Sequence, residues 1–366
     1  MKQVLIGAIM DGKAGGIDRY ILNLFGQLNR KDAEFDFFTN RITEPLQTDL
    51  QKQGSMLFQT VGFAHPIRQY REFKHIFLQK KYDTAYFNLS TALGFVGPLA
   101  AKRCGVPKIV IHSHTTGCDI SNPYKRKLMT VLHRFCRGIL YRFCTDFYAC
   151  SEEAGKWMFP RKIVSGNAFQ IVKNAIFTSD FVPNASVRSD LREKLGLQDC
   201  FVIGHVGNFV YQKNHAFLLR VFANLAQTDA TARLLLIGDG VLLEDMKSQA
   251  QNLGITDKVL FAGRRTDANQ YMQAMDVFAF PSNFEGLGIV AIEAQAAGLP
   301  CICSDRVPEE AHITNLCTYL PIDGETAVGD WVSALQKAKE IPRTNRMAEI
   351  VAAGYDLQSQ DLKQLV

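Results

Sequence analysis

Short apolar runs rich in β-branched and aromatic residues alternate with helix-patterned stretches along most of this 366-residue chain. A parallel strand needs a long crossover to reach its neighbour, so this alternation predicts parallel sheets with helices on both faces. In the first half the expected strands are Val4–Met10, Glu34–Thr39, Thr84–Leu89, Lys108–His114, Phe147–Cys150 and Gln170–Lys173. Helices are expected over Ile17–Asn29, Ala92–Cys104 and Tyr124–Tyr141. Segment Asn174–Asp199 breaks the rhythm with turn formers and one short helix, and reads as an interdomain connection. A second series follows, with strands Phe201–Val206, Arg233–Ile237, Lys258–Ala262, Val277–Pro281 and Pro300–Ser304. Its helices run over Asn214–Gln227, Leu242–Leu253, Asp267–Met275 and Leu287–Ala297. The length exceeds one ordinary core. The reading is therefore α/β with two Rossmann-like domains, 1–175 and 176–344, facing across a cleft where open α/β sheets bind ligands.

No run reaches the ~18 apolar residues of a membrane helix, and the N-terminal MKQVLIGAIM reads as a first strand rather than a signal segment. The nine cysteines are scattered, with a C-x-C at Cys301 and Cys303 but no zinc-type spacing, which predicts reduced cytosolic thiols and no metal site. Charge is unevenly spread. Residues 1–175 carry 25 Lys+Arg against 13 Asp+Glu, a net of +12; residues 176–366 carry 16 against 23, a net of −7. A basic half joined to an acidic half suggests a different partner for each.

The chemistry concentrates in PSNFEGLGIVAIEAQAAGL, residues 281–299. Glu285 precedes a turn punctuated by Gly286 and Gly288. Glu293 sits among Ile289, Val290, Ala291, Ile292 and Ala294, where a lone carboxylate costs several kcal/mol unless it is paired, solvated or bound to a ligand. A helix N-terminus after close-approaching glycines suits a phosphate. The bland alternative is a capped helix with one surface glutamate. In HVGNFVYQKNH, Lys213 stands between a strand and a helix, where a cation can neutralise a diphosphate. In IHSHTTGCD, His112 and His114 share side-chain parity at a strand end. In DGKAGGID, Gly12, Gly15 and Gly16 form a glycine-rich first turn that matches neither a dinucleotide fingerprint nor a P-loop.

The stretch Asn122–Cys144 interleaves Lys125, Arg126, Lys127 and Arg134 with Leu128, Met129, Leu132 and Phe135 at helical spacing. That is a membrane-surface pattern, or else an ordinary helix packed on the sheet. A second basic-aromatic patch spans His65–Asp83; no nucleic-acid module accompanies either patch, so no nucleic-acid partner is expected.

Together GGIDRYILNLF, HSHTT, HVGNFVYQKNH and MQAMDVFAFPSNFEGLGIVAIEAQAAGLPCICSD resemble the retaining GT-B glycosyltransferases of family four, of the capsular and exopolysaccharide type, over nearly the whole chain. The resemblance implies roles residue by residue. Glu285 would contact hydroxyls of the transferred sugar, and His114 (or His112) would lie near the reacting centre. Glu293 would hold the ribose and Lys213 the donor diphosphate. Gly15, Gly16 and the backbone of Gly286, Leu287 and Gly288 would face sugar and phosphates. It also implies a UDP-sugar donor with no cofactor or metal, and a lipid-linked saccharide acceptor. His112, Lys125, Arg126, Lys127 and Arg134 are assigned to the acceptor and anionic-membrane side of a cytoplasmic, peripheral enzyme. The last stretch, 345–366, would form a helix crossing back to the first domain.

One departure is Asn208, where many relatives carry arginine; an amide cannot give the charge-assisted bidentate contact. Arg264 or Arg265 then compensates, or the diphosphate is held more weakly, or the protein is impaired. An inactive sugar-nucleotide-binding subunit and a GT-B epimerase or phosphorylase are the competing readings.

Overall fold

The computed structural model describes residues 1–10, 15–29 and 31–366. Within the glycine-rich first turn, Asp11, Gly12, Lys13 and Ala14 therefore lie outside the described residues. The chain divides into two compact units. Unit 1 comprises Met1–Cys118, Asn122–Asn174 and Gln360–Val366; unit 2 comprises Asp119–Ser121 and Ala175–Ser359.

Unit 1 is built on seven strands: β1 (Lys2–Gly7), β2 (Ala33–Thr39), β3 (Leu57–Gln59), β4 (Thr84–Leu89), β5 (Lys108–Ser113), β6 (Asp146–Ala149) and β7 (Phe169–Ile171). They pair in parallel in the order β3-β2-β1-β4-β5-β6-β7. Unit 2 has six strands: β8 (Phe201–Val206), β9 (Ala232–Ile237), β10 (Val259–Phe261), β11 (Val277–Phe280), β12 (Cys301–Ser304) and β13 (Cys317–Leu320). Their order is β10-β9-β8-β11-β12-β13, again parallel. Each sheet reverses direction of strand addition once, between β1 and β4 in unit 1 and between β8 and β11 in unit 2. The loops leaving these strands at their carboxyl ends flank the crevice where open α/β sheets hold ligands.

The strands read as continuous apolar runs because helices cover both faces. In unit 2 the helix His215–Thr228 buries Phe217, Leu218, Leu219, Val221, Phe222 and Leu225. At about 2 kcal/mol per buried side chain, this one face contributes on the order of 10 kcal/mol. Unit 1 packs Phe38, Phe73, Phe77, Tyr82 and Phe87 into its core. The aromatics of the basic His65–Asp83 patch are therefore core residues. They lie on or just beyond the helix Pro66–Gln79, whose opposite face exposes Arg68, Arg71 and Lys74.

Two expectations about chain organisation change. The segment Asn174–Asp199 is largely part of unit 2 rather than a linker. Its helix Ala185–Leu195 is tied to the approach to β11, where Arg192 donates to Asp276 Oδ2 at 3.1 Å and to Ala274 O at 2.9 Å. The tail 345–366 is not one helix. A six-residue helix, Met347–Ala352, stops before Gly354, whose φ of 76° is left-handed. Asp356 then accepts from the Thr178 hydroxyl at 2.8 Å within unit 2, and only Gln360–Val366 joins unit 1. There Lys2 Nζ and Lys108 Nζ donate to the carbonyls of Val366 and Gln364.

Candidate functional site

The loops after β8 and β11 are adjacent because those strands pair, with Ile203 opposite Val277. Asn283 binds them together, its N–H reaching Gln212 O at 2.7 Å and its side-chain amide reaching Tyr211 O at 2.7 Å. This brings Lys213 Nζ to 2.7 Å from Glu285 Oε1, while Gln212 Nε2 donates to Glu285 Oε2 at 2.9 Å. Lys213 also lies over the Phe280 ring, 4.8 Å from its centroid. The pair is largely out of water, with 16% of the lysine side chain and 7% of the glutamate side chain exposed. Asn214 follows in a left-handed conformation (φ 54°), which asparagine tolerates better than most residues, and starts the helix His215–Thr228.

Glu285 leads into the buried turn Gly286–Gly288. Gly288 has φ 84° and a Cβ there would stand 3.0 Å from Val307 Cγ1 and 3.1 Å from Phe280 Cε1, so glycine is required. The helix Ile289–Ala296 begins at once, without a side-chain cap, and its first N–H groups have no intrahelical acceptor. Glu293 is buried on this helix. Lys213, Glu285 and the glycine turn thus share one loop cluster at the carboxyl ends of β8 and β11.

Asn208 is exposed in the same cluster. Beside it runs a loop that pattern reading passed over, Gly238-Asp239-Gly240 after β9. A Cβ on Gly238 would stand 2.0 Å from Gly207 O, so two backbones meet there without side chains. Gly238 N in turn donates to Gly263 O at 2.9 Å, which brings the exposed Arg264 alongside. Arg265 is committed elsewhere: it grips Asp267 through two bonds of 2.8 and 2.9 Å and covers the Tyr271 ring. The glycine pair was legible in LLLIGDG; Gln212 carried no sequence signal.

In unit 1, Gly15 (φ 149°) precedes the helix Gly16–Leu28 and accepts from Arg19 N–H at 3.0 Å. His112 and His114 lie close together, their ring centroids 3.9 Å apart. His112, expected on the acceptor side, is instead fully buried, its Nδ1 2.9 Å from the Tyr86 hydroxyl and that hydroxyl 2.8 Å from Tyr20 Oη. The strand β5 is central, so its inward side chains are covered. His114 is only partly buried. Asn174 Nδ2 stands 3.3 Å from its Nδ1 and Asn88 Oδ1 2.8 Å from its Nε2, which puts the ring proton on Nε2. Burial pushes its pKa down to about 3, so this histidine is neutral at working pH and acts through hydrogen bonds.

The charged residues assigned to the membrane side fall on the helix Pro123–Leu140, capped by Asn122. Lys125, Lys127 and Arg134 are exposed and Arg126 is partly so. Tyr124, Leu128, Val131, Leu132 and Phe135 share this exposed surface, between 41% and 84% accessible, while His133, Cys136 and Leu140 turn inward. Among the described residues no helix is long and apolar enough to cross a membrane.

The buried histidines make stability pH-dependent. His205 is fully buried, its Nδ1 2.8 Å from Ala279 O, and burial pushes its pKa from 6.5 down to about 4. Above pH 6.5 both folded and unfolded states are neutral; as pH falls towards 4 only the unfolded chain gains the proton, so stability drops. At pH 5 this one group costs about 2 kcal/mol relative to pH 7. Urea midpoints at the two pH values should show the loss, and His205→Asn should show a smaller one.

Two family models match this chain: "Glycosyltransferase Family 4" over residues 14–179 and "Glycosyl transferases group 1" over residues 187–351. EpsF of Bacillus subtilis (strain 168), a protein named as a glycosyltransferase, is 30% identical over 354 residues, covering 94% of this chain and 90% of its own. The UDP-Gal:alpha-D-GlcNAc-diphosphoundecaprenol alpha-1,3-galactosyltransferase of Escherichia coli is 30% identical over 62% of this chain and 59% of its own. Among solved structures, Anabaena Alr3699/HepE in complex with UDP and glucose superposes with a TM-score of 0.77 at 19% identity, over 100% of this chain and 98% of that one. WaaG, a glycosyltransferase involved in lipopolysaccharide biosynthesis, does so with a TM-score of 0.69 at 16% identity, over 99% and 96%. At these identities the two structures bear on the fold, which is GT-B. Paired parallel sheets, a Lys–Glu site at the switch point of the second sheet and a relative aligned along 94% of the chain lead to one conclusion: the protein belongs to the GT-B glycosyltransferases of family 4.

Proposed function

We propose that this glycosyltransferase moves a sugar, with retention and without a metal ion, from a nucleotide-sugar donor to a lipid-linked saccharide in capsule or exopolysaccharide biosynthesis. The donor is a UDP-sugar, and the enzyme works peripherally at the cytoplasmic face of the membrane. The observation that carries the reading is the Lys213–Glu285 pair at the head of the helix Ile289–Ala296. A cation, a helix N-terminus without a side-chain cap and a carboxylate side by side fit a diphosphate joined to a sugar. Two relatives' names support the donor and acceptor classes: one uses a UDP-sugar on a diphosphoundecaprenol-linked acceptor, and another transfers N-acetylgalactosamine to a diphospho-undecaprenol-linked sugar.

In this reading the donor diphosphate displaces Glu285 from Lys213. Lys213 Nζ and the helix N–H groups then stabilise the leaving nucleoside diphosphate, the part a divalent cation plays elsewhere. Arg264 supplies the second positive charge that Asn208 lacks. Glu285, released, accepts from hydroxyls of the sugar, and Glu293 holds the ribose. The bond from the anomeric carbon to the diphosphate breaks as the acceptor oxygen bonds to the same face. The acceptor's proton goes to the departing phosphate, so no protein nucleophile is required. His114 remains neutral and orients groups near the reacting centre.

Incubation with UDP-, GDP- and ADP-sugars, with and without a polyprenyl-diphosphate-linked saccharide, tests this directly. UDP release is expected with acceptor present, with the anomeric configuration retained by NMR and the rate within about twofold after EDTA. No nucleoside diphosphate from any donor would overturn the enzymatic reading. A rate lost to EDTA and restored by Mg²⁺ would overturn metal independence.

A further inference from the structure

Four residues at the carboxyl ends of parallel strands in unit 1 are joined by hydrogen bonds whose directions are fixed from one end. Gly7 ends β1, Asn88 lies near the end of β4, and His114 and Asn174 follow β5 and β7. Asn88 Nδ2 stands 3.1 Å from Gly7 O. A backbone carbonyl only accepts, so the amide nitrogen of Asn88 faces Gly7 and its oxygen faces away. That oxygen lies 2.8 Å from His114 Nε2 and also only accepts, so Nε2 carries a proton.

With the ring neutral, Nδ1 is a bare acceptor, and Asn174 Nδ2, 3.3 Å away, donates to it. Each ring nitrogen thus meets an uncharged amide. Both asparagines are buried, at 5% and 8% exposure, whereas His114 is only partly so. The rings of Tyr20 and His112 face it, with centroids 5.3 and 3.9 Å away. Burial holds that tyrosine protonated and His112 neutral, so neither brings a charge to the ring.

Amides at these positions decide what the histidine can be. A carboxylate at either nitrogen would favour the imidazolium. A hydroxyl can donate or accept, and would meet either tautomer. An amide anchored to Gly7 O presents only its oxygen, which sets the tautomer and the ring direction without adding charge. The bland alternative is a pair of buried amides that only tie strand ends together. We infer that Asn88 and Asn174 are positioning residues for sugar transfer, holding His114 neutral, with its proton on Nε2 and its ring in one direction. The inference rests on the proposed place of His114 near the reacting centre. A ring held this way has no proton to give at Nδ1, in keeping with an acceptor proton that leaves with the phosphate.

Asn88→Ala, Asn174→Ala and Asn88→Asp test it. Asn88→Ala should lower kcat about 10-fold and Asn174→Ala, which loses the longer bond, about 5-fold, each with donor KM within about twofold. Nitrogen NMR of histidine-labelled protein, with His114→Ala to assign the signal, should show the proton on Nε2 in the wild type. Asn88→Ala should give a mixture of tautomers. Asn88→Asp keeps an oxygen at Nε2 but sets a negative charge beside the ring, so the imidazolium gains as pH falls. Its kcat should approach the wild-type value at about pH 8 and drop towards about pH 6, a fall that the wild type lacks. A wild-type proton on Nδ1 would overturn the inference. So would asparagine variants with wild-type kcat and pH profile beside an inactive His114→Ala, a result that leaves the transfer reading standing. A fixed Nε2–H tautomer that Asn88→Ala scrambles, in a protein that releases no nucleoside diphosphate, would support the lock while sinking the transfer reading. Should the Asn88 variants fold poorly in thermal melts, Asn174→Ala carries the kinetic test, and an unchanged kcat there overturns the inference.

Discussion

Lys213→Ala is expected to lower kcat/KM for sugar transfer by about 10²–10³-fold, the range seen when one preorganised donor to a developing negative charge is removed. The ion pair makes its effect on stability unequal to that of the partner mutation. Removing the lysine leaves the Glu285 carboxylate, 7% exposed, without its cation, which costs about 3–5 kcal/mol. Removing the glutamate leaves a lysine at 16% exposure, whose flexible ammonium can reach water more readily. Glu285→Ala should therefore abolish transfer with the smaller loss of stability. The double variant Lys213→Met, Glu285→Leu separates the two effects, because apolar replacement of both partners recovers stability while activity stays lost. The measurements are kcat/KM and the urea midpoint for all four proteins. If activity returned along with stability in the double variant, the pair would be a structural brace and the assigned chemistry would fail.

Under the proposed peripheral reading, the helix Pro123–Leu140 carries contact with an anionic membrane, and its variants are expected to show an effect nearly as large. Each Lys or Arg near an anionic bilayer contributes about 1 kcal/mol, so Lys125→Gln, Lys127→Gln and Arg134→Gln together should weaken binding to anionic vesicles about 100-fold. Leu128→Ser with Phe135→Ser removes apolar side chains 59% and 71% exposed in the folded chain, which would enter the bilayer surface in that reading. Salt distinguishes the two contributions. The loss from the charge variant should shrink as ionic strength rises, whereas the apolar loss should persist. Vesicle co-sedimentation of wild type and both variants at low and high salt provides the check; equal binding by all three proteins would make this an ordinary surface helix.

Much of the fold was legible because it rests on local patterns. The strand at Thr84–Leu89 and that at Phe201–Val206 fall where their apolar runs do, and the helix Pro123–Leu140 lies within a residue of its pattern. Other elements carried weak local signals. The strand β3 is three residues long, and the helix Pro66–Gln79 hid inside what reads as a basic patch, because its core side chains Phe73, Ile76 and Phe77 alternate with Arg and Lys. The tail was misread for a related reason: Gly354 and the hydrogen bond from Thr178 to Asp356 act against helix continuation, and the second of these is a contact across 178 residues.

The sequence by itself determined that this chain alternates strands and helices, that a turn punctuated by Gly286 and Gly288 meets a helix, and that Glu293 falls within an apolar stretch of that helix. These follow from spacing, glycine chemistry and the cost of burying charge, which act between near neighbours. Only the tertiary structure decided that Lys213 meets Glu285 across 72 residues, and that His112 is sealed while His114 is held by Asn88 and Asn174. Each of those depends on strand order, on β8 lying beside β11 and on β4 lying beside β5. Strand order is set by the packing of whole helix layers, and no stretch of sequence short enough to read as a pattern contains it.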